Sequence, residues 1–446
     1  MSRSVILAYG LPGIPLAVLG LPLFVFLPAF YASQPALNIA LVGALLFAAR
    51  LLDVVTDPLV GTISDRLPGR WRRRAPMLLG TPLLMISTFF LLIPQGGWLD
   101  DPDGTVRAAT LLFLLAALIY FAWTLVALPF QALGAELSNH YHERSRITAT
   151  REGLVVVGTV VAILLPVVAG TDDPGKSLFW LALFLITVLP VAVGFLVWRV
   201  PERARQRANV PWREGWALLR ANRPFRRLLA AWFLNGVANA IPATLFVLFA
   251  THVLEAPEHV GPLLLTYFLV GVAALPFWLK LARRIGKHRA WIASMLLASG
   301  FFLWVPLLGS GDVLWFYAIT VITGLSLGID LAIPSSMQAD VIDRDIADGG
   351  GERAGLFFGL WGMTTKLALA AAVGLAFPLL GFAGFDPQAD RHSDQALLAL
   401  ALAYGVLPVL FKIGASVLVA GFEIDEAEQR ALRARIDAMA RRRSVD

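Results

Sequence analysis

The sequence predicts an all-α membrane protein with twelve transmembrane helices arranged as two pseudo-symmetric bundles of six, and three observations carry that prediction. The first is composition. Of 446 residues, 58% are hydrophobic and only 15% are charged, too little charge to coat a soluble chain of this length. The second is that apolar runs recur from end to end, each near the ~20 residues needed to cross a ~30 Å hydrocarbon layer. The third is that arginine and lysine collect in alternate loops.

Reading apolar runs against charged breaks places spans near 5–31, 37–63, 76–95, 108–136, 152–170 and 177–198. A second set lies near 228–251, 260–282, 290–309, 313–338, 354–382 and 396–420. The first run is too long and too rich in glycine and proline for a secretion signal and is read as a retained span. The chain then divides into a first six-helix bundle over 1–198, a basic linker over 199–227, a second bundle over 228–421 and a tail over 422–446. In the linker, Trp212, Trp216 and Leu219 have the spacing of an amphipathic surface helix, although a basic connector with incidental aromatics accounts for them equally well.

Basic residues choose the sides. One set of loops receives Arg66, Arg70, Arg72, Arg73 and Arg74, then Arg144 and Arg146, the linker arginines, Arg283 to Arg289, and the tail. The opposite loops hold Arg107, Lys176 and Arg391 beside acids such as Asp100, Asp172 and Asp394. This positive-inside asymmetry puts both termini in the cytoplasm, which requires an even number of spans. The net charge of +6 therefore orients the protein in a bilayer, and nucleic acid is not an expected partner. Cysteine is absent, which excludes disulfides, thiolate metal sites and cysteine nucleophiles.

The two halves echo each other. Gly61-Thr-Ile-Ser-Asp65-Arg66-Leu-Pro-Gly69-Arg70 stands between spans two and three. Arg283-Arg284-Ile285-Gly286-Lys287-His288-Arg289, a degraded version, stands between spans eight and nine. Repeated six-helix halves with a binding site near the midplane are one solution to alternating access.

The ionisable residues inside the spans carry the chemistry. Asp53 and Asp57 are four apart, so on a helix they share a face at roughly 6 Å along the axis, with Arg50 one turn earlier. A carboxylate in the hydrocarbon layer costs about 2.5–3.5 kcal/mol unless paired or hydrated. Two together are tolerable if a cation or proton sits between them or if Arg50 neutralises one, and Thr56 could add a hydroxyl. A charge network that merely joins helices is the bland alternative. Lys366 lies too deep in the eleventh span to snorkel, so its charge must meet a carboxylate, with the second-helix aspartates as the obvious partners. Asp330 lies ten residues before Asp340, roughly 15 Å deeper by helix rise. It could pair with Lys366, carry a proton or bind substrate, or it could mark a misplaced helix boundary.

The stretch Gly61 to Arg74 resembles the signature loop of the major facilitator superfamily, which implies a cytoplasmic latch built from Gly61, Asp65, Arg66, Gly69 and Arg70. Arg50-Leu-Leu-Asp53-Val-Val-Thr56-Asp57-Pro58 directly before it resembles the glycoside–pentoside–hexuronide:cation symporter family, of the melibiose permease type. Pro129-Phe130 through Glu136, Glu143-Arg144, Arg151, Asp340-Val-Ile-Asp343, Gly355, Gly359 and Lys366 agree with that resemblance along essentially the whole chain. The resemblance implies the major facilitator fold and cation-coupled transport, with Asp53, Asp57, Thr56 and Thr124 as cation ligands and Arg50 and Lys366 as charge partners. Na+ or H+ is the coupling ion it implies; no other metal or cofactor is expected.

Two departures bear on the solute. Where the family holds a sugar-binding acid in the first helix, this chain reads Gly10-Leu-Pro12-Gly13-Ile-Pro15. Where an aspartate and a tryptophan grip the sugar in the fourth helix, it has Ala127 and Gln131, with Trp123 one turn from Ala127. The remaining cavity candidates are Tyr120, Arg151, Asn235, Asn239, Tyr267, Gln338 and Trp361. The expected function is symport of a small polar solute such as a sugar or glycoside. The alternative is a lysophospholipid or other amphiphile, since the same branch of the superfamily includes lysophospholipid carriers. The six histidines form no metal pair on a span, no phosphate-binding glycine loop exists, and no nucleophile–base set points to an enzyme. A monomer in a bacterial inner membrane is the expected setting.

Overall fold

The computed structural model describes residues 2–67, 71–94, 97, 99, 101–137, 141–171, 173–201, 222–348, 354–389, 391–424, 428–429, 431–432 and 434–436. Within them lie twelve helices long and apolar enough to cross a membrane. We number them α1 (Arg3–Ala32), α2 (Ile39–Arg66), α3 (Arg74–Leu92), α4 (Thr105–Glu136), α5 (Tyr141–Val168) and α6 (Pro174–Arg199). The second six are α7 (Arg223–His252), α8 (Val260–Ile285), α9 (Lys287–Phe302), α10 (Val313–Ala347), α11 (Ala354–Phe382) and α12 (Asp394–Ala420). The linker residues Trp212, Trp216 and Leu219 lie outside the described residues.

Local chemistry explains where these helices start and bend. Asn38 caps α2 by accepting from the Leu41 amide at 2.8 Å, and Asp173 caps α6 by accepting from Gly175 at 2.6 Å, with Pro174 at the first helical position. The span α1 is interrupted by prolines. It runs as Arg3–Gly10 and Gly13–Leu21, widens to a π turn over Pro22–Phe26, and resumes as Leu27–Ala32. Pro22 lacks the amide that would continue the ladder, so the wider turn takes up the mismatch.

Two helices outrun their apolar segments. The apolar part of the tenth span ends near 338, but α10 continues to Ala347 through Asp340, Asp343 and Arg344. Its 35 residues exceed the ~20 needed to cross the bilayer. Likewise α5 begins at Tyr141, well before the apolar run near 152. Hydropathy marks where the bilayer ends, and a helix needs only its own backbone bonds to continue past it.

The chain forms two compact units. Unit 1 comprises Met1–Arg207, Ala243–Leu265 and Val373–Leu400; unit 2 comprises Ala208–Pro242, Thr266–Ala372 and Ala401–Asp446. In unit 1, α2 packs so closely on α11 that a Cβ at Gly43 would lie 2.5 Å from the Phe377 Cβ, so only glycine fits there. In the same unit Gln388 donates to the carbonyls of Gln34 at 2.6 Å and Leu37 at 3.2 Å. Unit 2 is built on an aromatic core in which Phe225 and Phe357 meet edge to face at 4.5 Å and Trp278, Trp291 and Met337 are buried.

Candidate functional site

In unit 1 the candidate site is made by α2 and α4. The spacing of Asp53 and Asp57 puts both carboxylates on one face of α2, and the structure turns that face toward Thr124 of α4. The Thr124 hydroxyl lies 3.0 Å from Asp53 Oδ1 and 2.7 Å from Asp57 Oδ1. Asp53 and Thr124 are buried at 4% and 2% exposure, and Asp57 is half-buried. A hydroxyl carries one proton and can donate to only one carboxylate at a time. Three oxygens converging within hydrogen-bond range, two of them anionic, therefore favour a positive charge among them. The donor set is all oxygen, which fits a hard monovalent cation or a proton and gives no soft ligand to a transition metal.

Arg50, one turn earlier on α2, sits with its guanidinium carbon 4.0 Å from the Tyr120 ring centroid and 4.4 Å from that of Phe24. Stacking on two aromatic faces holds a buried guanidinium in place without requiring a carboxylate. Tyr120 is thus part of the wall beside the carboxylates. The Thr56 hydroxyl donates to the Asp53 carbonyl at 3.0 Å, which fixes its proton and leaves its oxygen lone pairs as acceptors. This is the backbone bond that a helical threonine makes to the preceding turn.

The other residues singled out in this unit are dispersed. Trp123 is half-buried beside Gly20, Ala127 is buried and Gln131 is exposed. Arg151 is half-buried and pairs with its neighbour Glu152 at 2.5 Å.

Unit 2 holds a second polar network. Asp330 lies inside continuous helix, midway along α10, so no turn accounts for its charge. Its Oδ1 accepts from Trp291 Nε1 of α9 at 2.7 Å and its Oδ2 from Asn239 Nδ2 of α7 at 2.8 Å. The other side of the Asn239 amide accepts from Lys412 Nζ of α12 at 2.7 Å, and Asn235 Oδ1 accepts from the same ammonium at 3.1 Å. A lysine ammonium only donates, so it fixes the orientation of the Asn239 amide and aims that amide's N–H at Asp330. Beside this network Trp232 stacks on Trp361 at 4.6 Å and donates to Thr365 at 2.8 Å.

Of the sequence candidates in this unit, Asp330, Asn235 and Asn239 come together, and the Tyr267 hydroxyl lies within electrostatic reach of Asp330. Lys366 is half-buried, one residue past Thr365 on α11. Gln338 is fully buried with neither side-chain amide atom hydrogen-bonded. Sequence reasoning passed over Lys412 and Trp291. The signal for Lys412 was present: it is an ionisable residue well inside the apolar run 396–420.

The loops that echo each other in sequence are also placed. In unit 1 the Arg73 guanidinium donates to Ser64 Oγ at 2.9 Å, and Ser64 donates to the Arg72 carbonyl at 2.7 Å, tying the end of α2 to the start of α3. Gly61 and the backbone of Asp65 and Arg66 belong to α2, while Gly69 and Arg70 lie outside the described residues. In unit 2 Gly286 turns the chain from α8 into α9 at φ +90°, a conformation that favours glycine, and Lys287 pairs with Asp340 at 2.5 Å.

Comparison with known proteins places this architecture. A family model described as MFS/sugar transport protein matches residues 8–426. An uncharacterized symporter of Synechocystis is 24% identical over 97% of this chain and 96% of its own. The mouse sodium-dependent lysophosphatidylcholine symporter 1 is 26% identical over 97% of this chain and 88% of its own. Among solved structures, a bacterial homolog of the human lysosomal transporter Spinster superposes with a TM-score of 0.70 at 15% identity, over 98% of this chain and 99% of that one. The fold is therefore that of the major facilitator transporters, and the chain, a multi-pass membrane protein, belongs to the MFS/sugar transport protein family.

Proposed function

We propose that this protein is a secondary transporter that moves a small solute together with a monovalent cation, Na+ or H+, by alternating access. The observation that carries the reading is the convergence of Asp53, Asp57 and Thr124. Two carboxylates within 3.0 Å of one shared hydroxyl, inside a transmembrane bundle, make a site that a cation would relieve. Arg50, held on Phe24 and Tyr120 one turn before Asp53, lowers the local negative charge. The sodium dependence named for the mouse lysophosphatidylcholine symporter supports the same assignment. The finer family placement, with the melibiose permease-type symporters, rests on the Arg50-to-Arg74 and Pro129-to-Arg151 stretches, and the positive-inside pattern supports cytoplasmic termini.

For the solute, a small polar molecule such as a sugar or glycoside is the first reading. Asp330, Asn239 and Tyr267 are half-buried polar groups close to the stacked Trp232 and Trp361, a combination of acceptors and aromatic faces that suits hydroxylated molecules. A lysophospholipid is the second reading, favoured by the mouse lysophosphatidylcholine symporter and by the apolar Ala127 in the fourth helix.

The test is uptake into proteoliposomes with imposed sodium or proton gradients, across a panel of sugars, glycosides and lysolipids. Gradient-driven uptake that vanishes in Asp57→Asn, with expression retained, is the expected result. Uptake indifferent to both gradients would overturn the coupling.

A further inference from the structure

The Asp330–Asn239–Lys412 network lies within unit 2, and its geometry points to a proton and not to a metal ion. We infer that it is a proton-binding site of the second half of the molecule, with Asp330 the group that takes the proton and Lys412 the residue that positions it.

The amide oxygens of this network are already occupied. A sodium ion in this cluster would need the amide oxygens of Asn235 and Asn239, and both accept from the Lys412 ammonium, at 3.1 and 2.7 Å. Lys412 is a cation tethered to the protein and 2% exposed, so the oxygen-rich side of the network is permanently filled. A second metal ion beside it would meet a like charge with little water to screen it. The carboxylate is the group that can still change state. Each Asp330 oxygen accepts one N–H, from Trp291 and from Asn239, and a carboxylate has about four lone-pair sites, so each oxygen retains one.

Access agrees with this division. Asp330 and Asn239 are half-buried, whereas Lys412 is fully buried. In the step itself a hydronium ion gives one proton to an Asp330 oxygen, forming an O–H bond and leaving water; no bond within the protein breaks, and the charge of the network rises by one. Lys412 is then buried without a counter-charge, a costly state that favours a rearranged network. Tyr267 of α8 is within electrostatic reach of Asp330, Tyr404 of α12 is within reach of Tyr267, and Lys366 follows Thr365 on α11.

A purely structural ion pair would hold its protons fixed, so the experiment reads protonation directly. Infrared difference spectra of the purified full-length protein are recorded on stepping from roughly pH 9 to pH 4, the range that spans carboxyl and histidine titration. The wild type is expected to gain a carboxylic-acid carbonyl band that Asp330→Asn lacks. The Asp53→Asn, Asp57→Asn double variant should keep that band, which separates this site from the proposed coupling site and from the fate of that reading. Lys412→Met, which removes the positive charge favouring ionised Asp330, should move the band's midpoint to higher pH by about one unit or more. Should Asp330→Asn fail to fold because it leaves Lys412 unpaired, the Asp330→Asn, Lys412→Met double variant removes both charges and serves as the band-free control. A wild-type band identical to that of the control, or a midpoint unmoved in Lys412→Met, would overturn the inference.

Discussion

The two polar networks make an instructive pair. In unit 1 two carboxylates face one hydroxyl, and the nearest positive charge on the same helix, Arg50, is turned onto aromatic rings. In unit 2 one carboxylate is bound by two N–H donors, and a lysine completes the network through an asparagine. The first arrangement gathers acidic oxygens around a hydroxyl; the second carries a cation covalently, on Lys412. The two networks thus supply opposite electrostatics, because one pairs two acids on a single helix and the other sets a single acid against two N–H donors and a lysine reached through an asparagine.

The comparison can be broken by substitution, and the largest effect belongs to Asp57. Replacing it with asparagine removes one of two anionic ligands and should weaken sodium binding by about a hundredfold or more, on the order of 3 kcal/mol, measured by isotope binding to purified protein. Next comes Lys412. Lys412→Met should lower stability by about 3 kcal/mol near neutral pH, because Asp330 is left charged without its partner, and the double variant with Asp330→Asn should recover most of that loss. The single variant's deficit should shrink as pH falls, since protonation removes the uncompensated charge; thermal unfolding across pH measures both.

Smaller effects sharpen the contrast. Thr124→Val removes a neutral ligand and should weaken cation binding roughly tenfold, about 1.4 kcal/mol, while Thr124→Ser should retain near wild-type affinity. The smallest differences concern the latches between helices. Ser64→Ala deletes a buried hydroxyl bonded on both sides and should cost about 1 kcal/mol. Lys287→Ala breaks a pair whose lysine is substantially exposed and should cost less than about 1 kcal/mol. Equal losses at both latches would contradict the reading that the second is the weaker echo of the first.

Much of this was legible in the sequence because membranes simplify the code. Twelve apolar runs became twelve helices, since a chain in hydrocarbon must satisfy its backbone within each segment. Asp53 and Asp57 were legible because helical spacing alone puts them on one face. Thr56 illustrates the limit: spacing made it a candidate ligand but could not show that its proton goes to the Asp53 carbonyl of its own helix. Lys412 illustrates another. Its partners come from two other helices, Asn235 and Asn239 from α7 and, through the amide, Asp330 from α10, and no local spacing encodes a meeting of three helices. The ends of α5 and α10 were missed because charge ends a hydrophobic run without ending a helix.

The most direct test of the account is equilibrium binding of radiolabelled sodium to the purified wild type and to Asp57→Asn, measured across pH in the absence of solute. The expected result is saturable sodium binding by the wild type that falls as pH falls, because protons compete for the same carboxylates, and loss of that binding in Asp57→Asn. Identical cation and pH responses in the two proteins would contradict it.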